Sequence, residues 1–354
     1  MNRRTFLLAM GASACGAREA PRRRRQRREA GSGSGQPAAY NGGLVPTIVT
    51  AWQRRASAVA LRGDVVAQVA GTELRTYDAR TLSPTETRDL APNGFCFARD
   101  GALVVYSHPA SSPAGSVYRI GASRNLETFA SPLQLRSAGT VLLPGRTAAQ
   151  FFVVLEDLIF PITIADGRVE AGQGLLHPAP NQHNRDQLVA RDDGSFIVPV
   201  GGLRVLWPDG TEKSFAMTGR WLMHLVGASD DRVWYSHAPA SAGATQLFLA
   251  KALSPLAEEH MFDVSPLRIS HLASGKGAAA VIGLELRGVD DVRWELIVFG
   301  EDGKERWRTA LPEAFARRFS PGSSSLAINE KWVVISRYDS TLVGWDAVTG
   351  KPIA

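Results

Sequence analysis

The feature that most constrains the fold of this chain is a motif that recurs about every 44 residues. Its clearest copy is residues 294–311 (WELIVFGEDGKERWRTAL), where alternating apolar residues lead into an Asp-Gly turn and a second strand. A turn of this composition tolerates the positive φ that a tight hairpin needs. Residues 342–354 (LVGWDAVTGKPIA) repeat the pattern with a shorter returning strand. Two such copies near the end of the chain indicate a repeat architecture.

Five weaker copies keep the same step along the chain. Counting one turn residue per copy gives steps of 43, 45, 43, 43, 49 and 45 residues. The residues counted are Asp78, Gly121, Asp166, Asp209, Ala252, Glu301 and Asp346. A further turn and an apolar run precede each copy, so each repeat contains four short strands, which is typical of propeller blades. We therefore predict an all-β fold, a seven-bladed β-propeller of four-stranded antiparallel blades.

The predicted propeller covers residues 43–354. Its last repeat ends with residues 351–354, which are too few for a complete outer strand, whereas residues 44–52 (LVPTIVTAW) are an apolar run without a repeat of their own. An open ring would expose unpaired strand edges. We therefore expect residues 44–52 to pair with the last blade as its outer strand and to close the ring.

Residues 1–16 have the pattern of an export signal. Arg3 and Arg4 precede an apolar segment and resemble the twin-arginine pattern of bacterial export, and residues 12–15 (ASAC) resemble a lipobox. In that case Cys15 becomes the lipidated first residue, and the protein is periplasmic or anchored at the outer membrane as a lipoprotein. Cleavage before Cys15 into a soluble exported protein is an alternative, as is a misassigned start codon with a cytosolic product.

Residues 17–42 are predicted to be a disordered linker, with an arginine run at 22–28 (RRRRQRR) and a flexible spacer at 31–35 (GSGSG). The run is either a solvated tether or a basic segment that attracts anionic lipid headgroups, at about 1 kcal/mol for each arginine near the surface. Residues 1–30 contain nine arginines and two glutamates, although the whole chain has a formal charge of only +6. The rest is therefore nearly neutral, and its charge does not indicate a nucleic-acid partner.

Two turn motifs carry a resemblance to a known class of repeats. The D-x-x-T-G-K turn at 346–351 and the D-G-K-x-x-W segment at 302–307 resemble the PQQ-like and YVTN/WD40-like β-propeller superfamily, and the resemblance extends over most of residues 43–354. It implies that Trp307, after its turn, docks between neighbouring blades. The quinone-dependent dehydrogenases of this superfamily have an additional blade, a longer chain and adjacent cysteines, which this sequence lacks. We therefore expect no cofactor.

The sequence contains none of the common catalytic or metal-binding signatures. H-E-x-x-H, C-x-x-C, G-x-S-x-G and the Walker loop are all absent. Cys96, in the apolar segment FCF, is interpreted as a small buried hydrophobic residue. These observations favour a binding protein over an enzyme and give no indication of a metal site.

Candidate ligand-binding residues come from the face of the propeller that carries the b–c and d–a loops, which is the usual ligand side. His108 and His237 each follow a Tyr-Ser pair at the end of a b strand, in blades two and five. Two imidazoles across the channel could face one ligand and transfer protons near neutral pH. The alternative is that duplicated blades have kept similar residues without a role.

Arginines form a second candidate group, because each precedes a predicted inner strand. On one face they would make an electropositive rim suited to carboxylate or phosphate groups. The members are Arg55, Arg136, Arg185, Arg220, Arg268 and Arg318. The polar connection 176–187 (LHPAPNQHNRDQ), which contains His183, is the first candidate for contact with a partner.

The leading hypothesis is a monomeric, non-catalytic scaffold at the cell envelope that presents this loop face to a protein or an anionic small molecule or polymer. The alternative is an enzyme of the lyase, lactonase or hydrolase type that acts on an anionic substrate at the channel mouth. It would use His108 or His237 as acid or base, with Glu156 and Asp157 as nearby carboxylates.

Overall fold

A computed structural model describes residues 58–109, 111–112, 114–131, 133, 141–155, 158–176, 189–191, 193, 195–199, 202–207, 211–216, 221–227, 232–238, 246–251, 257–287, 291–311, 325–337 and 339–353. All of these belong to one compact unit, Gly43–Ala354. They form strands, turns and connections. None of them belongs to a helix of the length and apolarity that crossing a membrane requires.

The strands of the described residues form seven antiparallel sheets that follow one another along the chain. The first three blades are β1 (Val59–Arg62), β2 (Val65–Ala70), β3 (Glu73–Asp78), β4 (Pro84–Asp89); β5 (Pro92–Phe97), β6 (Leu103–Ser107), β7 (Ser116–Ile120), β8 (Leu126–Ala130); and β9 (Val141–Pro144), β10 (Gln150–Leu155), β11 (Leu158–Ala165), β12 (Arg168–Ala171) with the short β13 (Leu175–Leu176).

The next blades are β14 (Val189–Ala190), β15 (Phe196–Pro199), β16 (Gly202–Leu206), β17 (Glu212–Ala216); β18 (Trp221–Gly227), β19 (Arg232–Ala238), β20 (Gln246–Lys251), β21 (Ala257–Asp263); and β22 (Arg268–Gly275), β23 (Ala278–Leu286), β24 (Val292–Gly300), β25 (Glu305–Ala310). Blade 7 contains β26 (Ser325–Ile328), β27 (Trp332–Ser336) and β28 (Leu342–Asp346). The prediction of an all-β, seven-bladed propeller is confirmed.

Blade 7 has three strands among the described residues. A short return of the chain covers the outer edge of β28, where Trp345 bridges to Pro352 and the Ile353 N–H donates to the Gly344 carbonyl at 2.9 Å. This return matches the predicted stub. The predicted closing strand at residues 44–52 lies outside the described residues and stays a prediction.

The hydrophobic core lies between the blades rather than in one central mass. Strands in second position are apolar on both sides, so β6 buries all its residues and β23 buries its first six. Phe152 of blade 3 packs edge-on against Phe196 of blade 4 with ring centroids 4.2 Å apart. Each fully buried Val, Leu or Phe contributes about 1.5–3 kcal/mol. The interfaces between successive blades therefore supply most of the stabilisation.

The first and last blades pack against each other in the same way. Val66 and Tyr77 of blade 1 form one apolar cluster with Val334 of blade 7. A buried polar network crosses the same junction, because the Gln68 Nε2 donates to the Ser336 hydroxyl at 2.7 Å and the Tyr77 hydroxyl donates to Gln68 Oε1 at 2.8 Å. These contacts join the ends of the ring among the described residues.

Trp307 contacts the neighbouring blade, as the superfamily resemblance implies. Its indole Nε1 donates to the Ala347 carbonyl in the last turn of blade 7 at 3.0 Å. Gly350, with φ +71°, lies directly against this indole, since a Cβ at Gly350 would come within 2.8 Å of the Trp307 ring. Glycine is therefore required there both by the backbone and by the contact.

Fourth strands present charged residues at the outside of the ring. In β25 the side chains of Glu305, Arg306 and Arg308 are exposed, while Trp307 between them turns inward. In β8, Glu127 is exposed, and in β12, Glu170. Charged side chains on an edge strand discourage pairing with another chain.

Candidate functional site

The two faces of the propeller follow from the strand order. In blade 1 the a–b turn at 63–64 and the c–d turn at 79–83 lie at one end of the sheet, and the b–c turn at 71–72 lies at the other. We call these the ab–cd face and the bc–da face. Every predicted ligand residue was assigned to the bc–da face.

A long hairpin in blade 6 extends beyond its neighbours on the bc–da face. β23 and β24 have nine residues each and are the longest strands of the described residues. They pair from Ala278 opposite Gly300 to Leu286 opposite Val292, whereas β22 begins opposite Leu284 and β25 ends opposite Glu295. Among the described residues, 285–287 and 291–293 therefore have no strand beside them except each other, and we call these two segments the blade-6 hairpin tip.

One side of the hairpin carries charged residues toward blade 5. Side chains two residues apart in a strand share a side, and directly paired residues share it too. Glu285 is paired with Arg293. A cavity of about 180 Å³ lies on this side. It is lined by Pro266, Leu267, Glu285, Arg287, Arg293, Glu295 and Arg308. We call it the blade-6 groove.

The floor of the groove depends on a close approach between blades 5 and 6. Leu267, in the connection from blade 5, is buried and packs over β23. A Cβ at Gly283 would lie 2.9 Å from the Leu267 Cβ, so only glycine leaves room for this contact. This connection therefore forms the groove together with the hairpin residues Glu285, Arg287 and Arg293.

Within the groove, carboxylates lie inside and guanidinium groups lie outside. The Glu295 side chain is 4% exposed and forms ion pairs with Arg293 and, at 3.5 Å, with Arg308. Arg287 pairs with Glu285 at 2.9 Å. The three arginine side chains are 45–46% exposed. The exposed polar groups of the groove are therefore mainly N–H donors.

Arg308 is held firmly in its charged form. Hydrogen bonding to Glu305 raises the pKa of Arg308, and the Glu295 carboxylate adds to the effect. Glu305 accepts from Arg308 Nε at 2.8 Å, so the guanidinium is fixed at the edge of the groove. All three nitrogens of this guanidinium donate to Glu305 or Glu295, so Arg308 holds these carboxylates in place at the edge of the groove.

The opposite side of the hairpin is apolar and faces blade 7. Leu284, Val292 and the 5% exposed Trp294 pack against the cluster between blades 6 and 7. Leu286, at the end of β23, is 44% exposed. The hairpin therefore presents charge on one side and an exposed apolar residue on the other.

His108 lies beneath the b–c loop of blade 2. Its residue is 3% exposed, its backbone N–H donates to Asn93 Oδ1, and its Nε2 lies 3.3 Å from the Ser112 carbonyl oxygen. The ring Nδ1 is buried and has no hydrogen-bond partner in the part of the chain that the structure describes. His237 lies in β19, where its backbone pairs with Leu222 and Gln246, and its side chain is outside the described residues.

Arg268 is the only predicted rim arginine among the described residues. It is exposed and begins β22 opposite Leu284, but it does not line the blade-6 groove. The remaining predicted site residues are outside the described part of the chain. They are Cys15, Arg55, Arg136, Glu156, Asp157, His183, Arg185, Arg220 and Arg318.

Other arginines, which follow inner strands, join blades on the ab–cd face. Arg99 of blade 2 donates to the Gly145 carbonyl of blade 3 and to the Arg191 carbonyl of blade 4, both at 2.9 Å. Arg62 of blade 1 donates to the carbonyls of Ala98 and Arg99. The repeated arginine at the start of the turns RGD, RDG and RDDG was a sequence signal for these contacts.

Among the described residues, no group of three or more His, Cys, Asp or Glu side chains is placed to hold a metal ion. The blade-6 groove was missed at the sequence level, although the segments ELR (285–287) and RWE (293–295) place charges at alternate positions of one hairpin. Alternate charges at facing positions are a signal for a charged side of a sheet.

The strand order, the blade packing and the two loop faces define the class of protein: the chain is a seven-bladed β-propeller. No protein-family model matches it, and a search of curated proteins gives no significant match. Solved structures do match. The β-propeller domain of Cps50 (Swd1) from Myceliophteria thermophila aligns with a TM-score of 0.54 at 13% identity, covering 82% of this chain and 95% of that one.

Two further structures have comparable similarity. Hsv2 of Kluyvelomyces marxianus aligns with a TM-score of 0.54 at 9% identity, over 84% of this chain and 96% of that one. The β-propeller domain of the trilobed protease from Pyrococcus furiosus, described as having an open velcro topology, aligns with a TM-score of 0.56 at 12% identity, over 84% and 97%. At such low sequence identity, structural similarity shows only that the fold is shared.

Proposed function

We propose that this chain is a non-catalytic binding propeller held at the cell envelope, and that it binds a protein partner through the bc–da face. The observation that carries the proposal is the blade-6 hairpin, whose tip stands clear of both neighbouring strands. It combines half-exposed arginines with the exposed Leu286. Arginine beside apolar contact area is the composition of interface centres.

A binding role agrees better with the position of His108 than an acid–base role does. A general acid or base must come within hydrogen-bond reach of the substrate. His108 is 3% exposed, and its Nε2 lies against its own loop at Ser112. Its contacts are those of a residue that shapes the b–c loop of blade 2.

The proposed location rests on the sequence of residues 1–42. Arg3 and Arg4 ahead of an apolar segment, followed by Cys15 in a lipobox-like setting, favour export and lipid attachment. The arginine run at 22–28 would place a basic tether beside the membrane surface. An anchored, rigid ring on a flexible tether suits the capture of other envelope proteins.

The test is affinity capture from detergent-solubilised envelopes of the source cells. Tagged wild-type protein is compared with Leu286→Asp and with the double variant Arg287→Glu, Arg293→Glu. Arg146→Glu and Lys276→Glu are the matched controls, since both residues are exposed in a–b turns on the opposite face. We expect a partner that is retained by wild type and both controls and lost from the hairpin variants.

Two results would overturn the proposal. One is capture that is equal for wild type and the hairpin variants, which would place the contact elsewhere. The other is turnover of an anionic substrate that requires His108, which would restore the enzyme alternative.

A further inference from the structure

We infer that the blade-6 groove binds a carboxylate group of the partner, held between the guanidinium groups of Arg287 and Arg293. The inference rests on the proposed function and adds the chemical class that the site recognises. It is carried by the donors that remain open in the groove, by the glutamates that fix the arginines, and by the charge of the lining.

Both arginines keep donors for a ligand. A guanidinium has five N–H groups. Glu285 Oε2 accepts from Arg287 Nε at 2.9 Å and is also 2.9 Å from its NH2 nitrogen, so the second terminal nitrogen of Arg287 has no partner among the described residues. Arg293 reaches Glu295 through one terminal nitrogen. Since each side chain is 45% exposed, the open donors are accessible from solvent.

The hairpin register brings these donors to one place. The Arg287 N–H donates to the Asp291 carbonyl at 2.9 Å, so the strand pairing continues to this position. Arg293 lies two residues further along the facing strand and on the same side. Diagonal neighbours of this kind are about 7–8 Å apart, within the span of two long side chains. One carboxylate with two oxygens can accept from both guanidinium groups.

The glutamates under the arginines act as positioning residues. Glu295 is buried and contacts Arg293 and Arg308, while Glu285 holds Arg287. Arginine side chains lose much rotamer freedom on binding, and a donor that is already fixed loses less. The groove is therefore prepared for its ligand before the ligand arrives.

The charge of the lining favours a singly charged ligand. Three arginines and two glutamates line the groove. Because Glu305 and Glu295 already neutralise Arg308, Arg287 and Arg293 are the groups left to meet a ligand. Repulsion from the Glu285 carboxylate is weaker for a carboxylate monoanion than for a phosphate dianion. Pro266 and Leu267 form an apolar wall beside the donors, which suits the methylene groups of an acidic side chain. We therefore assign the ligand as a peptide carboxylate.

Fluorescence anisotropy with short labelled peptides tests the inference on the full chain in detergent. The four peptides share alternating leucines and differ in the residues between them and in the carboxyl terminus. Two are amidated and contain either glutamates or glutamines. The third contains glutamines and has a free terminal carboxyl group, and the fourth contains phosphoserines. We expect the glutamate peptide to bind at least about ten times more tightly than the amidated glutamine peptide, which corresponds to loss of one charge-assisted contact. A higher salt concentration should weaken this binding.

Arg287→Gln and Arg293→Gln should each reduce affinity for the glutamate peptide at least about tenfold, whereas Arg146→Gln on the opposite face should leave it unchanged. Tighter binding of the free-ended glutamine peptide than of the glutamate peptide would identify a terminal carboxylate as the source. Tighter binding of the phosphoserine peptide, or equal binding of glutamate and amidated glutamine peptides, would overturn the inference. If these peptides fail while Leu286→Asp still abolishes capture of the envelope partner, the proposed function stands and the carboxylate assignment falls.

Discussion

The indole Nε1 of Trp332 donates a hydrogen bond to the Asp64 carboxylate at 2.9 Å, which links the last blade of the ring to the first. Arg80 forms an ion pair with the same carboxylate, and Lys331 lies 3.5 Å from it. The hydrogen bond from Trp332, with that from Arg80, lowers the pKa of Asp64 to about 2. The junction between first and last blades is therefore coupled to the ionisation of one surface carboxyl.

Replacement of Asp64 by Asn should give a stability deficit that depends on pH. The pKa of Asp64 is lower in the folded state, about 2, than the ordinary 3.8, so its ionised form stabilises the fold. That contribution is complete above the ordinary pKa and disappears as pH falls toward about 2. Urea denaturation at several pH values should show wild type and Asp64→Asn converging in acid. The exposed Asp89→Asn is the control, and a deficit that stays constant into acid would contradict the prediction.

Gln68→Met should destabilise the propeller by about 2–4 kcal/mol, because it removes the buried hydrogen bonds that Gln68 forms with the Tyr77 and Ser336 hydroxyls. Gln68 is fully buried and bonds both Tyr77 and Ser336. Denaturant unfolding monitored by tryptophan fluorescence measures the loss. Gln173→Met, at an exposed position, is the matched control and should be close to neutral. Equal effects of the two substitutions would show that the buried network contributes nothing to closure.

Gly350→Ala should cost about 1–3 kcal/mol, since a side chain there meets both a left-handed backbone and the Trp307 ring. Gly121 occupies the corresponding turn of blade 2, and a Cβ there would have open space. Gly121→Ala should therefore change the free energy of unfolding by less than about 0.5 kcal/mol. Thermal unfolding of the pair separates the combined effect of the left-handed backbone and the Trp307 contact from a general effect of losing glycine. A neutral Gly350→Ala would mean that the Trp307 contact is readily displaced.

Cys96 should be unreactive in the folded protein. Burial raises the pKa of the Cys96 thiol to about 12, so almost no thiolate is present near neutral pH. In a Cys15→Ser variant Cys96 is the one remaining cysteine of the chain. A thiol reagent at about pH 8 should therefore label nothing until guanidinium chloride unfolds the protein. Rapid labelling of the native variant would show that the strand opens readily.

Cys15→Ser should also abolish lipid attachment and release the protein from the membrane fraction. Metabolic labelling with a clickable fatty acid, followed by fractionation, measures both effects. Replacing Arg3 and Arg4 by lysines should block export if the twin-arginine route is used, and the precursor should then accumulate. Fatty-acid labelling that persists in Cys15→Ser would place the acyl group on another residue, and normal export of the double lysine variant would indicate a different route.

The strands and turns were predictable because their signals are local. Alternating apolar residues and an Asp-Gly turn predict β24 and β25, and the steps between turn residues predict the number of blades. The contacts across the ring were not predictable in this way. Gln68 and Ser336 are 268 residues apart in sequence, and only the packing of blade 1 on blade 7 brings them together.

The face that carries the candidate site could be predicted from the sequence, but the position of the groove on that face could not. The bc–da face follows from strand order, but the groove depends on the length of β23 and β24 and on the pairing of Glu285 with Arg293. The arginine rim was inferred from positions before inner strands. The structure places Arg268 on the surface at the start of β22 and outside the groove. Arg62, at the end of an inner strand, and Arg99, just after one, bond to backbone carbonyls of neighbouring blades.

The charged fourth strands have a consequence for how copies of the molecule meet. The exposed charges of Glu127, Glu170, Glu305 and Arg306 lie on fourth strands of the described residues, where they oppose the stacking of copies edge to edge into a fibre. Concentrated solutions of the propeller should therefore stay monodisperse, and light scattering would report a single species.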